Sequence, residues 1–151
     1  MILFALYLLC LLFDSVEGIR EAIFWYYANG KMSTKDNKSL HKFFMIVRIV
    51  FGFSVLLSVF NYSGSFIVSG LFGISALLVF PFIHDGFYYW KINQINSSLY
   101  SKTFMDMSNS SLAWTDRYFT PSVRVAMAVN SLAVLVILLA LNNYKSILNL
   151  W

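Results

Sequence analysis

The sequence predicts an all-α integral membrane protein, a four-helix bundle of two antiparallel transmembrane hairpins with an interfacial cytosolic loop. Two observations predict this fold class. Of the 151 residues, 59% are hydrophobic and only 12% are charged, whereas about a quarter of the residues of a soluble domain are charged. The apolar residues also form four long stretches, and about 20 of them suffice for one helix to cross a bilayer. We therefore expect a single transmembrane domain over residues 1–151.

The first predicted span, about residues 1–27, has charges in its second half. The apolar run 1–13 would reach only ~20 Å as a helix, which is less than the roughly 30 Å of hydrocarbon to be crossed. The charges that begin at Asp14 are therefore expected inside the bilayer. The aromatic run 23–27 favours the same interpretation, because Trp and Tyr prefer the membrane interface. We predict one continuous helix through Asp14.

The charges of this span are segregated on a helical wheel. Asp14, Glu17 and Glu21 share about a third of the circumference, and Arg20 lies beside Glu17. The opposite face carries Val16, Ile19 and Ile23. This separation predicts that the acids face other helices or water and that the aliphatic side chains face lipid.

Three further spans are predicted, at about residues 43–60, 66–90 and 121–141. The second and third are joined by a short polar turn, so they should be antiparallel neighbours. Two longer polar loops connect the others, at about 28–42 and 91–120. The second loop contains several aromatic residues, which predicts that it lies on the membrane surface.

The distribution of positive charge predicts the orientation. The two longer loops, with the helix ends attached to them, contain every Lys and Arg of the chain except Lys145. By the positive-inside rule, loops 28–42 and 91–120 are cytosolic and both termini lie outside. The sequence does not identify the membrane. The same distribution argues against a nucleic-acid partner, since the basic residues flank apolar spans and form no patch.

This topology brings ionisable residues from all four spans to one depth, on the predicted cytosolic side. The candidates for a ligand site or ion network are Asp14, Glu17, Arg20, Glu21, His41, Arg48, His84, Asp85 and Arg124.

Four interpretations of these residues remain open. They form a buried ion network that holds the helices in register, or an anion site, since three guanidinium groups suit a phosphate or carboxylate. A third interpretation is a proton or cation path through Asp14, Glu17, Glu21 and His84. A metal site is the fourth, but no spacing of ligands supports it. No catalytic residue is predicted, because the adjacent His84 and Asp85 point about 100° apart on a helix.

Two functional classes follow. The first is a non-enzymatic structural or interaction subunit, in contact with the lipid bilayer, that forms a homo-oligomer or joins a larger membrane complex. The second is a small transporter, channel or binder of an anionic ligand or lipid headgroup. The sequence has no P-loop, dinucleotide-binding or nucleophile-elbow motif, so an enzyme is not favoured and no cofactor is expected.

Overall fold

The computed structural model describes residues 1–28, 34–96 and 120–148. The side chains described are those of residues 1–27, 39–40, 42–96 and 120–143. Within these residues every secondary-structure element is an α-helix, and the helices pack as one group, which confirms the predicted fold class. The helices are α1 (Ile2–Ala28), α2 (Thr34–Ser63), α3 (Phe66–Ile95) and α4 (Pro121–Leu148).

Each helix contains a segment that is long and apolar enough to cross a membrane. The segments are Ile2–Tyr27, Lys42–Ser63, Phe66–Ile95 and Pro121–Asn143. By length and composition the chain is therefore an integral membrane protein. The predicted continuity of the first span is confirmed, since α1 runs without a break past Asp14.

Three helices extend further than the sequence indicated. α2 begins at Thr34, inside the predicted loop 28–42, and α3 ends at Ile95 instead of residue 90. α4 continues to Leu148, past residue 141. The reason is that hydropathy locates the hydrocarbon crossing, whereas backbone hydrogen bonds continue through polar residues beyond it. The remainder of the predicted interfacial loop, residues 97–119, lies outside the described residues.

A tight turn joins α2 to α3. Gly64 has a φ of 62°, a left-handed conformation that glycine adopts without steric cost. Its amide donates to the carbonyl of Phe60 at 2.7 Å, and Ser65 caps α3 by accepting from the amide of Val68 at 3.4 Å. The turn is too short for anything but an antiparallel pair, as predicted.

α3 is the central helix, and α1, α2 and α4 all pack against it. The bundle has an apolar half at the end where α1 begins. Its core is formed by Leu3, Tyr7, Cys10, Val55, Val59, Val68, Phe72, Val79, Leu135 and Leu138. The ionisable side chains gather in the other half.

The outer surfaces of the helices are apolar. α2 exposes Ile49 and Phe53, and α4 exposes Val129 and Val136. On α1, Val16 is 60% exposed, on the face predicted to meet lipid. A soluble protein rarely leaves so much contiguous apolar surface uncovered, so these faces fit contact with a bilayer.

Candidate functional site

The candidate site is the set of ionisable side chains in the second half of the bundle. We call it the charged cluster, which consists of Asp14, Glu17, Arg20, Glu21, Arg48, His84, Asp85 and Arg124. It includes eight of the nine residues singled out from the sequence. The ninth is His41, whose side chain lies outside the described residues.

Gly18 allows α1 and α3 to approach closely beside the cluster. A Cβ atom at this position would lie 2.2 Å from the backbone oxygen of His84 and 3.1 Å from the amide nitrogen of Tyr88. Any side chain larger than hydrogen would therefore force the two helices apart. The neighbouring carboxylates of α1 are thereby held within hydrogen-bonding reach of α3.

The centre of the cluster joins α1, α2 and α3. Arg48 donates through Nη2 to Oε2 of Glu21 at 2.6 Å. The same Nη2 lies 2.8 Å from Nε2 of His84, and that Nε2 lies 3.1 Å from the Glu21 oxygen. Arg48 also lies 5.4 Å from the ring centre of Phe80. A guanidinium, a carboxylate and an imidazole thus meet in one triangle.

His84 connects this triangle to a second carboxylate. Its Nδ1 lies 2.8 Å from Oδ1 of Asp85, although the two residues are adjacent on α3. The prediction that the side chains of His84 and Asp85 point apart is therefore wrong for their polar atoms. The imidazole ring is long enough for Nδ1 to turn back toward the Asp85 carboxylate. The ring also stacks on Phe80, with centres 4.9 Å apart.

Asp85 extends the cluster to α4. Its Oδ2 lies 3.1 Å from Nη2 of Arg124. Arg124 is only 1% exposed, and its guanidinium carbon lies 5.9 Å from the ring centre of Tyr89. A buried guanidinium needs a negative partner to offset its desolvation, and among the described residues Asp85 supplies one.

Arg20 is the most exposed member of the cluster. Its Nη2 donates to Oε2 of Glu17 at 2.7 Å, and its side chain is 39% exposed. Its guanidinium carbon also lies 4.4 Å from the ring centre of Phe44. Glu17 has a second cationic neighbour, since Nε of Arg48 lies 3.6 Å from the same oxygen.

Asp14 differs from the other acids. It is only 6% exposed and lies within electrostatic range of His84, Arg48 and Glu17. Yet it makes no hydrogen bond or ion pair with any residue that the structure describes. The cluster therefore surrounds one carboxyl group that its arginines leave without direct contact.

A second polar group, which the sequence analysis did not single out, lies in the apolar half. Ser131 on α4 and Ser75 on α3 each donate a hydroxyl to the other's backbone carbonyl, at 2.7 and 2.9 Å. Both hydroxyl protons are then used, so the hydroxyl of Tyr7 is the donor to Oγ of Ser131, at 2.5 Å. Serines in an apolar stretch are the only signal in the sequence, and serine is common on helix surfaces.

The contacts of the charged cluster are those of paired acidic and basic side chains and of the imidazole of His84. Across the described ranges, no group of three or more His, Cys, Asp or Glu side chains is placed to hold a metal ion. Comparison of the chain with protein-family models, with curated proteins and with solved structures gives no match.

Proposed function

We propose that the chain is a non-enzymatic structural and interaction subunit of a membrane, in which the charged cluster fixes the arrangement of the four helices. One observation carries this proposal. The polar contacts run through every helix. Glu17 and Glu21 on α1 pair with Arg48 on α2. His84 on α3 joins Glu21 to Asp85, which pairs with Arg124 on α4. A network that joins all four helices fixes the position of each helix along its axis relative to the others. We call this structural role the lock.

The energetics favour a lock over an anion site. Lipid offers no hydrophobic force between helices, so close packing and polar contacts determine how they associate. The guanidinium fork of Arg48 already faces two carboxylates, of Glu21 and Glu17, at 2.6 and 3.6 Å. An incoming anion would have to displace one of these carboxylates, which would then remain buried and unpaired.

A series of variants at Arg48 tests the lock. Arg48→Ala should destabilise the protein near the lower end of roughly 3–5 kcal/mol, the usual cost of removing one partner of a buried pair, because Arg48 is partly exposed. Arg48→Lys retains the charge but loses the fork, so an intermediate loss is expected. Combining Arg48→Ala with Glu21→Gln should recover much of the stability. Melting in detergent, followed by the reaction of buried Cys10 with a fluorogenic thiol dye, measures each change.

The matched control is Lys42→Ala. Lys42 is an exposed cation on the same helix, so its removal should change stability by no more than about 0.5 kcal/mol. If Arg48→Ala melts like this control, the pairing with Glu21 does not stabilise the fold and the lock is wrong.

The interaction part of the proposal is supported by one face of α4. Asn130 lies ~14 Å along the helix from Pro121, near the middle of the hydrocarbon, and its side chain is exposed. Its Nδ2 donates to the carbonyl of Ala126 at 2.8 Å, which uses only part of the amide's capacity. Exposed residues follow at spacings of four and three, at 126, 130, 133, 137 and 140, which is typical of a helix–helix seam. A partner helix would satisfy the amide.

One observation supports the alternative function, a small transporter, channel or binder of an anionic ligand or lipid headgroup. Arg20 is 39% exposed, which suits contact with an anionic headgroup or a small anionic ligand. The variant Arg20→Ala, compared with Lys42→Ala, separates the two classes. A lock predicts no difference between the two variants in the anionic lipid retained in native mass spectrometry, whereas a binding site predicts a folded protein that loses the lipid only in Arg20→Ala.

The orientation remains a proposal and rests on the lysines and arginines alone. We infer that the charged cluster lies toward the cytosol and that both termini lie outside. On this basis Arg20 lies near the cytosolic headgroups, and the apolar half lies toward the opposite leaflet.

A further inference from the structure

Among the side chains that the structure describes, the charged cluster has one more carboxyl group than guanidinium groups. Its carboxylates belong to Asp14, Glu17, Glu21 and Asp85, and its guanidinium groups to Arg20, Arg48 and Arg124. Four negative groups thus face three positive ones. A net charge is costly inside a membrane, so one additional positive charge should reside in the cluster.

Two side chains in the cluster can carry that charge as a proton. His84 is the only described residue of the set whose ordinary titration lies near neutral pH. Asp14 is the acid that no arginine contacts. It is more than nine-tenths buried, and it lies within electrostatic range of Cys10 and Glu17 on its own helix, Arg48 on α2 and His84 on α3.

We propose that the charged cluster is a binding site for a single exchangeable proton, which is held either by Asp14 or by His84. In one state Asp14 is a neutral carboxylic acid and the imidazole is neutral. In the other state the O–H bond of Asp14 is broken, an N–H bond is formed at Nε2 of His84, and the imidazolium lies within electrostatic range of the Asp14 carboxylate. Both states leave the cluster electrically neutral. The inference does not depend on the interaction role proposed above.

In both states the ring nitrogens of His84 find partners without movement of the ring, although protonation of Nε2 removes the acceptor of the Arg48 N–H that faces it. When neutral, the ring donates from Nδ1 to Asp85 and its Nε2 accepts from Arg48 at 2.8 Å. When protonated, the ring still donates from Nδ1, and the new proton on Nε2 points to Glu21 at 3.1 Å. The 2.6 Å contact between Arg48 and Glu21 is common to both states. A nitrogen placed between a donor and an acceptor in this way is suited to gaining and losing a proton.

Asp14→Asn tests the inference, because asparagine has the shape of the carboxylic acid but no proton to exchange. Its effect is read from the imidazole nitrogen NMR shifts of the full chain in lipid nanodiscs, in a His41→Gln background that leaves one histidine. With Asp14 neutralised, three acids balance three arginines and His84 no longer needs a charge. The ratio of charged to neutral His84 near neutral pH should fall about tenfold, the lower end of what a close opposite charge produces.

Asp36→Asn is the matched control. It also removes one carboxylate, but Asp36 lies twelve residues before Arg48 on α2, or ~18 Å at helical rise. This control should leave the His84 signal unchanged. Melting with the Cys10 dye establishes that each variant is folded, and that measurement is separate from the proton readout.

A complementary measurement uses His84→Asn and the infrared carbonyl stretch of protonated carboxyl groups. The band that disappears in Asp14→Asn belongs to Asp14. Without His84 to share the proton, this band should be stronger than in the unmodified protein at the same pH. Two results would overturn the inference. In the first, the charged fraction of His84 is the same in Asp14→Asn as in the unmodified protein. In the second, sodium ions remove the Asp14 carbonyl band and choline does not. The second result would make the ligand a monovalent metal cation.

Discussion

The sharpest prediction concerns Gly18→Ala, which adds one methyl group between α1 and α3. The added carbon would lie 2.2 Å from the carbonyl oxygen of His84, whereas the closest ordinary C···O contact is roughly 3.3 Å. The two helices must therefore separate by about 1 Å at this level. The 3.1 Å contact between Glu21 and His84 spans the same gap, and such a displacement would break it.

The expected loss of stability can be worked out from these contacts. Overpacking of a close contact typically costs roughly 1–3 kcal/mol, and loss of a hydrogen bond to a charged group about 1.5–3 kcal/mol. Alanine recovers about 1 kcal/mol through its greater helix propensity. The net effect of Gly18→Ala should therefore be a destabilisation of roughly 1.5–5 kcal/mol.

The chain contains its own reporter for this measurement. Cys10 is its only cysteine, and it is 6% exposed in the apolar half. A fluorogenic thiol dye therefore reacts when the bundle opens, and the temperature of half-maximal reaction gives Tm without an engineered label. The same reporter follows every variant that retains this cysteine.

Three other glycines within the helices provide matched controls. A Cβ at Gly52 or Gly70 would meet nothing within 4 Å, so alanine at either position should be neutral or stabilising by up to about 1 kcal/mol. At Gly73 the Cβ would lie 3.1 Å from Cδ2 of Leu56, a flexible side chain that can move, so a smaller loss than at Gly18 is expected. If Gly18→Ala melts together with Gly52→Ala, the close approach of α1 to α3 is wrong.

Three other expectations are open to direct measurement. Ser131→Ala leaves the Tyr7 hydroxyl without its acceptor and should cost about 1–3 kcal/mol, whereas Ser54→Ala, at an exposed hydroxyl bonded to its own helix, should leave Tm unchanged. Asn130→Leu should weaken self-association in analytical ultracentrifugation if a second copy covers the α4 face, and an unchanged mass would exclude that copy as the partner. In a Cys10→Ala background, a cysteine in place of Ser39 should react only with reagents that reach the cytosolic side, and its labelling from outside would refute the orientation.

The helical type of each element was predictable from the sequence, and so were the residues that lie at the same level along neighbouring helices. Hydropathy identifies four crossings because each needs about 20 apolar residues, and all four helices are present in the described residues. Depth follows from counting residues along each helix, which is why Glu21 and Arg48 could be expected to meet. Their 2.6 Å contact agrees with that expectation. The functional meaning of the cluster is not determined by depth.

The rotation of each helix about its own axis was harder to predict from the sequence. In water an apolar stripe marks the buried face, but in a membrane lipid is as apolar as the protein core. The sequence therefore could not distinguish Asp14, which has no direct partner among the described residues, from Glu17 one turn away. It also gave no reason to single out Ser75 and Ser131, whose mutual hydrogen bonds require that one face of α3 meet one face of α4.

The short distances within the charged cluster depend on a residue with no side chain. Carboxylates and guanidinium groups at equal depth can remain several ångströms apart, with lipid tails or water between them, if their helices pack through large side chains. At Gly18 the α1 backbone instead lies directly against the carbonyl of His84. This contact leaves no room for a lipid tail or a water molecule between the two helices. In the resulting low-dielectric space each ion pair is stronger, and each missing partner is more costly. The glycine beside Glu17 is therefore as much a determinant of the cluster as the charges are.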